Sequence, residues 1–112
     1  MTGVLLVAMG GAAGSVLRHL ASLALGGSPW GTLLVNVLGS AAIGALAGWG
    51  VQGGMRLFLV TGLLGGFTTF SAFSLEAAAL WARAPVLGAA YVGASLALGL
   101  GTFAVAQAIA AR

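Results

Sequence analysis

The stretch of sequence that decides the fold is Gly65-Gly66-Phe67-Thr68-Thr69-Phe70-Ser71-Ala72-Phe73, which lies in the middle of a long apolar run. Paired glycines and paired threonines weaken an α-helix, and lipid offers no water to satisfy a freed backbone group. A broken helix at bilayer depth is tolerated only where it is buried in protein or lines a polar cavity. The stretch therefore predicts a transmembrane helix that is broken at its middle, and it marks the first place to look for an ion or substrate site.

Composition identifies the chain as an integral membrane protein. It has 112 residues, of which 61% are hydrophobic and 4% are charged, whereas a soluble domain carries about 25% charged residues. The sequence has no cysteine, which rules out disulfides and thiol chemistry. Its one histidine, His19, has no second histidine or cysteine with which to share a transition metal. The four arginines are scattered, so binding to nucleic acid is not expected.

Four apolar runs are each long enough to cross a bilayer as a helix of about 20 residues. The predicted all-α transmembrane domain covers residues 1–112, with spans at about 3–25, 30–49, 57–81 and 86–111. Pro29 and Pro85 suit the first turns of the second and fourth helices. Tryptophans fall at predicted span ends, where their rings favour the membrane interface: Trp30, Trp49 and Trp81.

The arginines divide evenly between the two sides that these spans define. Arg18 and Arg83 lie on the side of the first loop, and Arg56 and Arg112 lie on the other side. Positively charged residues near the ends of spans set the orientation of a chain in the membrane. With two arginines on each side, the chain has almost no preferred orientation. The balance predicts that copies insert in both orientations and pair as an antiparallel homodimer. The alternative is that a small bias, including the terminal amine, still fixes one orientation.

Polar residues inside the spans mark candidate functional positions. Asn36, the only asparagine, is either a hydrogen-bonding link between helices or a donor to a passing anion. Glu76, the only carboxylate, is either a residue near the membrane interface or a pore-mouth group or proton carrier. On the fourth span, Tyr91 and Ser95 can form part of one polar helix face. The alternative for Tyr91 is an aromatic residue at the membrane interface, and the alternative for Ser95 is a small packing residue that bonds to the preceding turn.

Two phenylalanines come directly after the Gly-Gly and Thr-Thr pairs that weaken the third helix. Phe70 and Phe73 are three residues apart and share a helix face. Such a pair usually contacts lipid or protein core. Because the edge of an aromatic ring carries positive potential, a phenyl ring seen edge-on can also contact a small anion.

Four blocks of the sequence resemble the small fluoride channels called Fluc, also known as CrcB-type proteins. The first three are residues 10–19 (GGAAGSVLRH), 29–40 (PWGTLLVNVLGS) and 62–73 (GLLGGFTTFSAF), and the fourth is Tyr91 with Ser95. The blocks touch all four predicted spans, and the third is the most specific. The resemblance is imperfect at a few positions: Ala72 and His19 stand where the family commonly has threonine and tyrosine, so one hydroxyl of the third-helix polar track is missing.

The resemblance implies a multi-pass protein of the plasma (inner) membrane that is a passive fluoride channel and not an enzyme. Its fold would be an antiparallel, dual-topology homodimer with two fluoride pathways. The implied pathway residues are Asn36, Thr69, Phe70, Ser71, Phe73, Tyr91 and Ser95. Arg18 and Glu76 would lie at the vestibules. Backbone carbonyls near Gly65 and Thr68 would hold a structural sodium ion at the dimer centre.

Two other functions fit part of the pattern. A small multidrug-resistance-type antiporter is also short and four-spanning, but it needs a carboxylate in the first span, where this chain has none. A membrane scaffold subunit that transports nothing would explain the small-residue helix faces. It would not explain the set formed by Asn36, the two phenylalanines, Tyr91 and Ser95.

Overall fold

The computed structural model describes all 112 residues and is entirely helical. Its elements are α1 (Thr2–Ala24), α2 (Pro29–Gly48), α3 (Gly53–Arg56), a π-helical segment (Leu57–Leu64), α4 (Gly65–Phe67), α5 (Phe70–Arg83) and α6 (Pro85–Ala110). The elements from α3 to α5 form one third span, Gly53–Arg83, so the chain has four helices long and apolar enough to cross a membrane. The prediction of four apolar helices is confirmed, although the third begins four residues earlier than predicted.

The third span is broken at Thr68 and Thr69. Both residues are extended, with φ −85° and ψ 158° at Thr68 and φ −151° and ψ 123° at Thr69. The predicted break is confirmed, but the paired glycines are not part of it, because Gly65 and Gly66 remain helical in α4. The hydroxyl of Thr68 donates to the carbonyl of Leu64 at 2.9 Å and thereby closes the last turn before the break.

Glycines in α1 and in the third span allow two backbones to approach closely. A Cβ at Gly14 would overlap the carbonyl oxygen of Leu63, and a Cβ at Gly66 would lie 2.6 Å from the carbonyl oxygen of Gly11. On the other side of the protein, α2 packs along α6, where Gly44 leaves room for the backbone of Phe103. These glycines therefore mark positions at which two helices are in close contact.

Replacing Gly14 by alanine is expected to destabilise the protein, because the new methyl group cannot avoid the Leu63 backbone. Overpacking of this kind costs about 1–3 kcal/mol. A lower unfolding temperature in detergent would show the effect. Gly101→Ala in α6 is the matched control, since no atom lies within 4 Å of its added Cβ. Equal unfolding temperatures for the two variants would contradict the packing described here.

Most of the apolar surface of one chain has no protein partner. Only 11 of the 112 residues are buried, and large side chains such as Leu75 and Val86 are 73% and 85% exposed. Polar side chains are exposed too, including Thr61, Ser71 and Ser74 on the third span. Lipid can cover the apolar side chains, but it cannot satisfy the polar ones.

Candidate functional site

A cavity of about 250 Å³ lies beside the break in the third span. Its lining residues come from α2, the third span and α6: Asn36, Ser40, Ile43, Thr68, Thr69, Phe70, Phe73, Ser95, Leu96 and Gly99. Five of the seven predicted pathway residues thus line one space, together with Thr68 from the predicted cation site.

Asn36 holds the two sides of the break together through the backbone of Thr69. Its Nδ2 donates to the Thr69 carbonyl at 2.9 Å, and its Oδ1 accepts from the Thr69 amide at 2.8 Å. The side chain therefore replaces helical hydrogen bonds that the break removes. An amide nitrogen carries two hydrogens, and the structure gives Asn36 Nδ2 only one acceptor. One N–H thus remains for another partner at the cavity wall, so both roles considered for Asn36 are compatible with this geometry.

The bonds around Thr69 leave two carbonyls without their helical partners. The amide of Thr69, which would bond to Gly65 in a continuous helix, donates to Asn36. The amide of Ala72, which would bond to Thr68, donates at 3.1 Å to the hydroxyl of Thr69, the N-cap of α5. These carbonyls belong to the two residues predicted to hold a cation. Because lipid cannot satisfy them, they need a ligand, water or another chain.

The remaining walls of the cavity are aromatic and hydroxylic. The rings of Phe70 and Phe73 lie with centroids 5.5 Å apart, and Phe70 is 76% exposed. The Ser95 hydroxyl oxygen is buried and has no hydrogen-bond partner. A buried hydroxyl without a partner costs free energy, so this oxygen also has bonding capacity to spare within the cavity.

A second space, a cleft of about 230 Å³, opens at the end of the molecule where α1 meets α2. Arg18, His19 and Glu76 line it, along with Thr32 and several small residues of the first loop. Thr69 lines both the cleft and the cavity, so the two spaces lie next to each other at the break. The two predicted vestibule residues, Arg18 and Glu76, line the same cleft.

The carboxylate of Glu76 is held by hydroxyl groups from two neighbouring helices. Thr32 donates to Oε1 at 2.8 Å, and Tyr91 donates to Oε2 at 3.0 Å. The side chain of Tyr91 is wholly buried between helices. It does not line the cavity, and its hydroxyl hydrogen is used by Glu76. Thr32 was not predicted as a site residue, although its position four residues before Asn36 places it on the same helix face.

Ser71 lies beside the cavity rather than on its wall. Its side chain is exposed, and its hydroxyl oxygen is 3.3 Å from that of Thr69. Ala72 lines the cleft instead, where a threonine would add a hydroxyl.

The fold defines the class of protein: a multi-pass helical membrane protein, here with two spaces whose walls share Thr69 at the break in the third span. Residues 5–107 match the family described as CrcB-like protein, Camphor Resistance (CrcB), and the chain belongs to this family. The chain is 48% identical to a protein of Hyphomonas neptunium named fluoride-specific ion channel FluC, with 100% of this chain and 98% of the relative covered. Proteins with the same name from Methylobacterium nodulans and Rhizobium meliloti are 52% and 50% identical, each with 89% of both chains covered.

Proposed function

We propose that this protein is a fluoride-selective channel that lets fluoride leave the cell passively. The observation that carries the proposal is that the cleft and the cavity share Thr69 in their walls, and in this proposal they are two parts of one ion route. The names of its relatives give the ion. Hydrogen fluoride that enters a cell ionises in the cytoplasm, and the trapped fluoride then moves out through the channel down its electrochemical gradient.

The chemistry of the cavity wall suits a small, strongly hydrated anion. A narrow path must replace the water that fluoride loses, and it must not bind the ion too tightly to release it. The free N–H of Asn36, the Ser95 hydroxyl and the edges of the Phe70 and Phe73 rings are all neutral donors. No arginine lines the cavity, so no full positive charge traps the ion there. Arg18 lies in the cleft, where it raises the local anion concentration.

In this proposal Tyr91 does not contact the ion but positions two residues that line the route. Its hydroxyl orients the Glu76 carboxylate, and its ring backs Phe73 with centroids 5.5 Å apart. Ser71 shares its hydroxyl contact with Thr69, the residue at which the two spaces meet.

We further propose that two copies pair in opposite orientations. Lipid cannot satisfy the unpaired Thr68 carbonyl, and a second chain would cover it. The exposed ring of Phe70 would then face the partner instead of lipid. The even division of the four arginines supports the inverted orientation.

A sodium ion at the centre of this dimer would satisfy the carbonyls of Gly65 and Thr68. Sodium is a hard cation that suits carbonyl oxygen, and its charge would offset part of the cost of bringing an anion into the membrane. Two inverted copies would double the number of carbonyls available to the ion. The hydrogen bonds that Asn36 and Thr69 make on this chain are what leave these carbonyls free.

Exchanging sodium for N-methyl-D-glucamine is expected to lower the unfolding temperature of the purified protein. A ligand that binds only the folded state at 100 times its dissociation constant contributes about 2.7 kcal/mol. Replacing chloride by gluconate at constant sodium is the control for general salt effects. Identical unfolding temperatures with and without sodium would contradict a structural sodium site.

A proton-coupled antiporter is the alternative function, and no observation favours it. Such a mechanism needs a membrane carboxylate that is free to exchange protons for cations. Glu76 is the only carboxylate, and it lies in α5 with both oxygens hydrogen-bonded.

Growth in fluoride tests the proposal in cells. A bacterial strain that has lost its own fluoride exporter should grow in millimolar-range fluoride when it makes this protein. The same strain with a Phe73→Ile variant at equal membrane abundance should not. No rescue by the unaltered protein would contradict the proposed export role.

A further inference from the structure

Four aromatic rings form a row from the start of α2 to the cavity. Trp30, at the start of α2, meets Tyr91 of α6 edge-on, with centroids 5.7 Å apart and planes at 84°. Tyr91 lies 5.5 Å from Phe73 with planes at 32°, and Phe73 lies 5.5 Å from Phe70. Trp30 lines neither the cleft nor the cavity, and the one ring that it contacts is that of Tyr91.

Tyr91 has no freedom to move within this row. It is wholly buried, its hydroxyl is bonded to Glu76, and its ring contacts those of both Trp30 and Phe73. Glu76 is three residues from Phe73 on α5, so the hydrogen bond and the ring contact tie Tyr91 to the same face of that helix. Removing the Trp30 ring would open a space beside the Tyr91 ring. The Tyr91 ring could then retreat and leave Phe73 without its support.

We infer that Trp30 is a positioning residue, which holds the Phe73 ring toward the ion route by supporting Tyr91. This inference rests on the proposed fluoride function. It differs from the expectation for a tryptophan at a span end, which is that the ring anchors the helix at the membrane interface. Trp49 provides the comparison, because it lies at the other end of α2, is 67% exposed and forms no ring pair.

Fluoride release from liposomes distinguishes positioning from anchoring. Trp30→Ala is expected to lower the rate of fluoride release roughly threefold to tenfold. This factor corresponds to the loss of one aromatic contact. Trp30→Phe should restore most of the rate, because a phenyl ring can still meet Tyr91 edge-on. Trp49→Ala should release fluoride as fast as the unaltered protein. Equal rates for Trp30→Ala and Trp49→Ala would overturn the inference.

Tryptophan fluorescence tests the ring row without relying on ion flux. A chain carrying Trp49→Phe and Trp81→Phe keeps Trp30 as its only tryptophan. Adding Phe73→Ile should change the emission of Trp30, because the change is transmitted through Tyr91, whereas Phe58→Ile should not. Unchanged emission with Phe73→Ile would overturn the inference. If the unaltered protein released no fluoride, the proposed function would fail, and the emission measurement would still decide whether the rings are coupled.

Discussion

Replacing Phe73 by isoleucine is expected to reduce fluoride release from liposomes by at least about tenfold. The variant keeps an apolar side chain of similar reach but loses the ring edge at the cavity wall and the contacts with Phe70 and Tyr91. Each 1.4 kcal/mol added to the free-energy barrier that the ion crosses lowers the rate about tenfold. A fluoride electrode measures the release directly, and size-exclusion chromatography shows whether assembly is preserved.

The matched control is Phe58→Ile, which makes the same change on the same span. Phe58 lines neither the cavity nor the cleft. Its variant should release fluoride at the normal rate. A normal rate for Phe73→Ile, or an equal loss for both variants, would mean that the ring of Phe73 does not contact the ion.

Replacing Asn36 by aspartate is expected to have a still larger effect, about 100-fold or more. The carboxylate still accepts from the Thr69 amide, but it cannot donate to the Thr69 carbonyl, and it removes the free N–H from the cavity. It also introduces a negative charge into an anion route. Loss of one preorganised donor in a water-poor site commonly costs a factor of 10² to 10³.

Thr102→Val separates this effect from a general loss of helix contacts. The Thr102 hydroxyl also links two helices, since it donates to the carbonyl of Val37 at 3.4 Å, but it does not line the cavity. Its variant should conduct normally, because such membrane hydrogen bonds contribute only about 0.6 kcal/mol on average. If Thr102→Val lost as much flux as Asn36→Asp, the result would contradict a direct role of Asn36 in ion passage and would indicate a role in helix packing alone.

The sequence predicts the parts of this structure that depend on local chemistry. Length and hydropathy predict the four spans, and the Thr-Thr pair marks the break in the third. The break lies at Thr68 and Thr69 because their side chains compensate for it: one hydroxyl closes the helix before it and the other caps the helix after it. The glycines serve a different purpose, which is close approach to α1.

The features that the sequence does not predict depend on contacts between distant residues. Asn36 and Thr69 are 33 positions apart, and no local pattern shows that the amide would bond to the broken backbone. The same is true of the bond from Tyr91 to Glu76, which joins residues 15 positions apart on two helices. The π-helical segment, which packs against α1, is not among the elements predicted from the sequence.

Fluoride and chloride release from liposomes tests the proposed function most directly. Purified protein is placed in vesicles loaded with both anions, and two ion-selective electrodes follow their release after a potassium ionophore removes the electrical barrier. We predict rapid fluoride release, with chloride retained as in vesicles without protein. Fluoride release no faster than from empty vesicles would contradict the channel, and chloride release at a similar rate would contradict its selectivity.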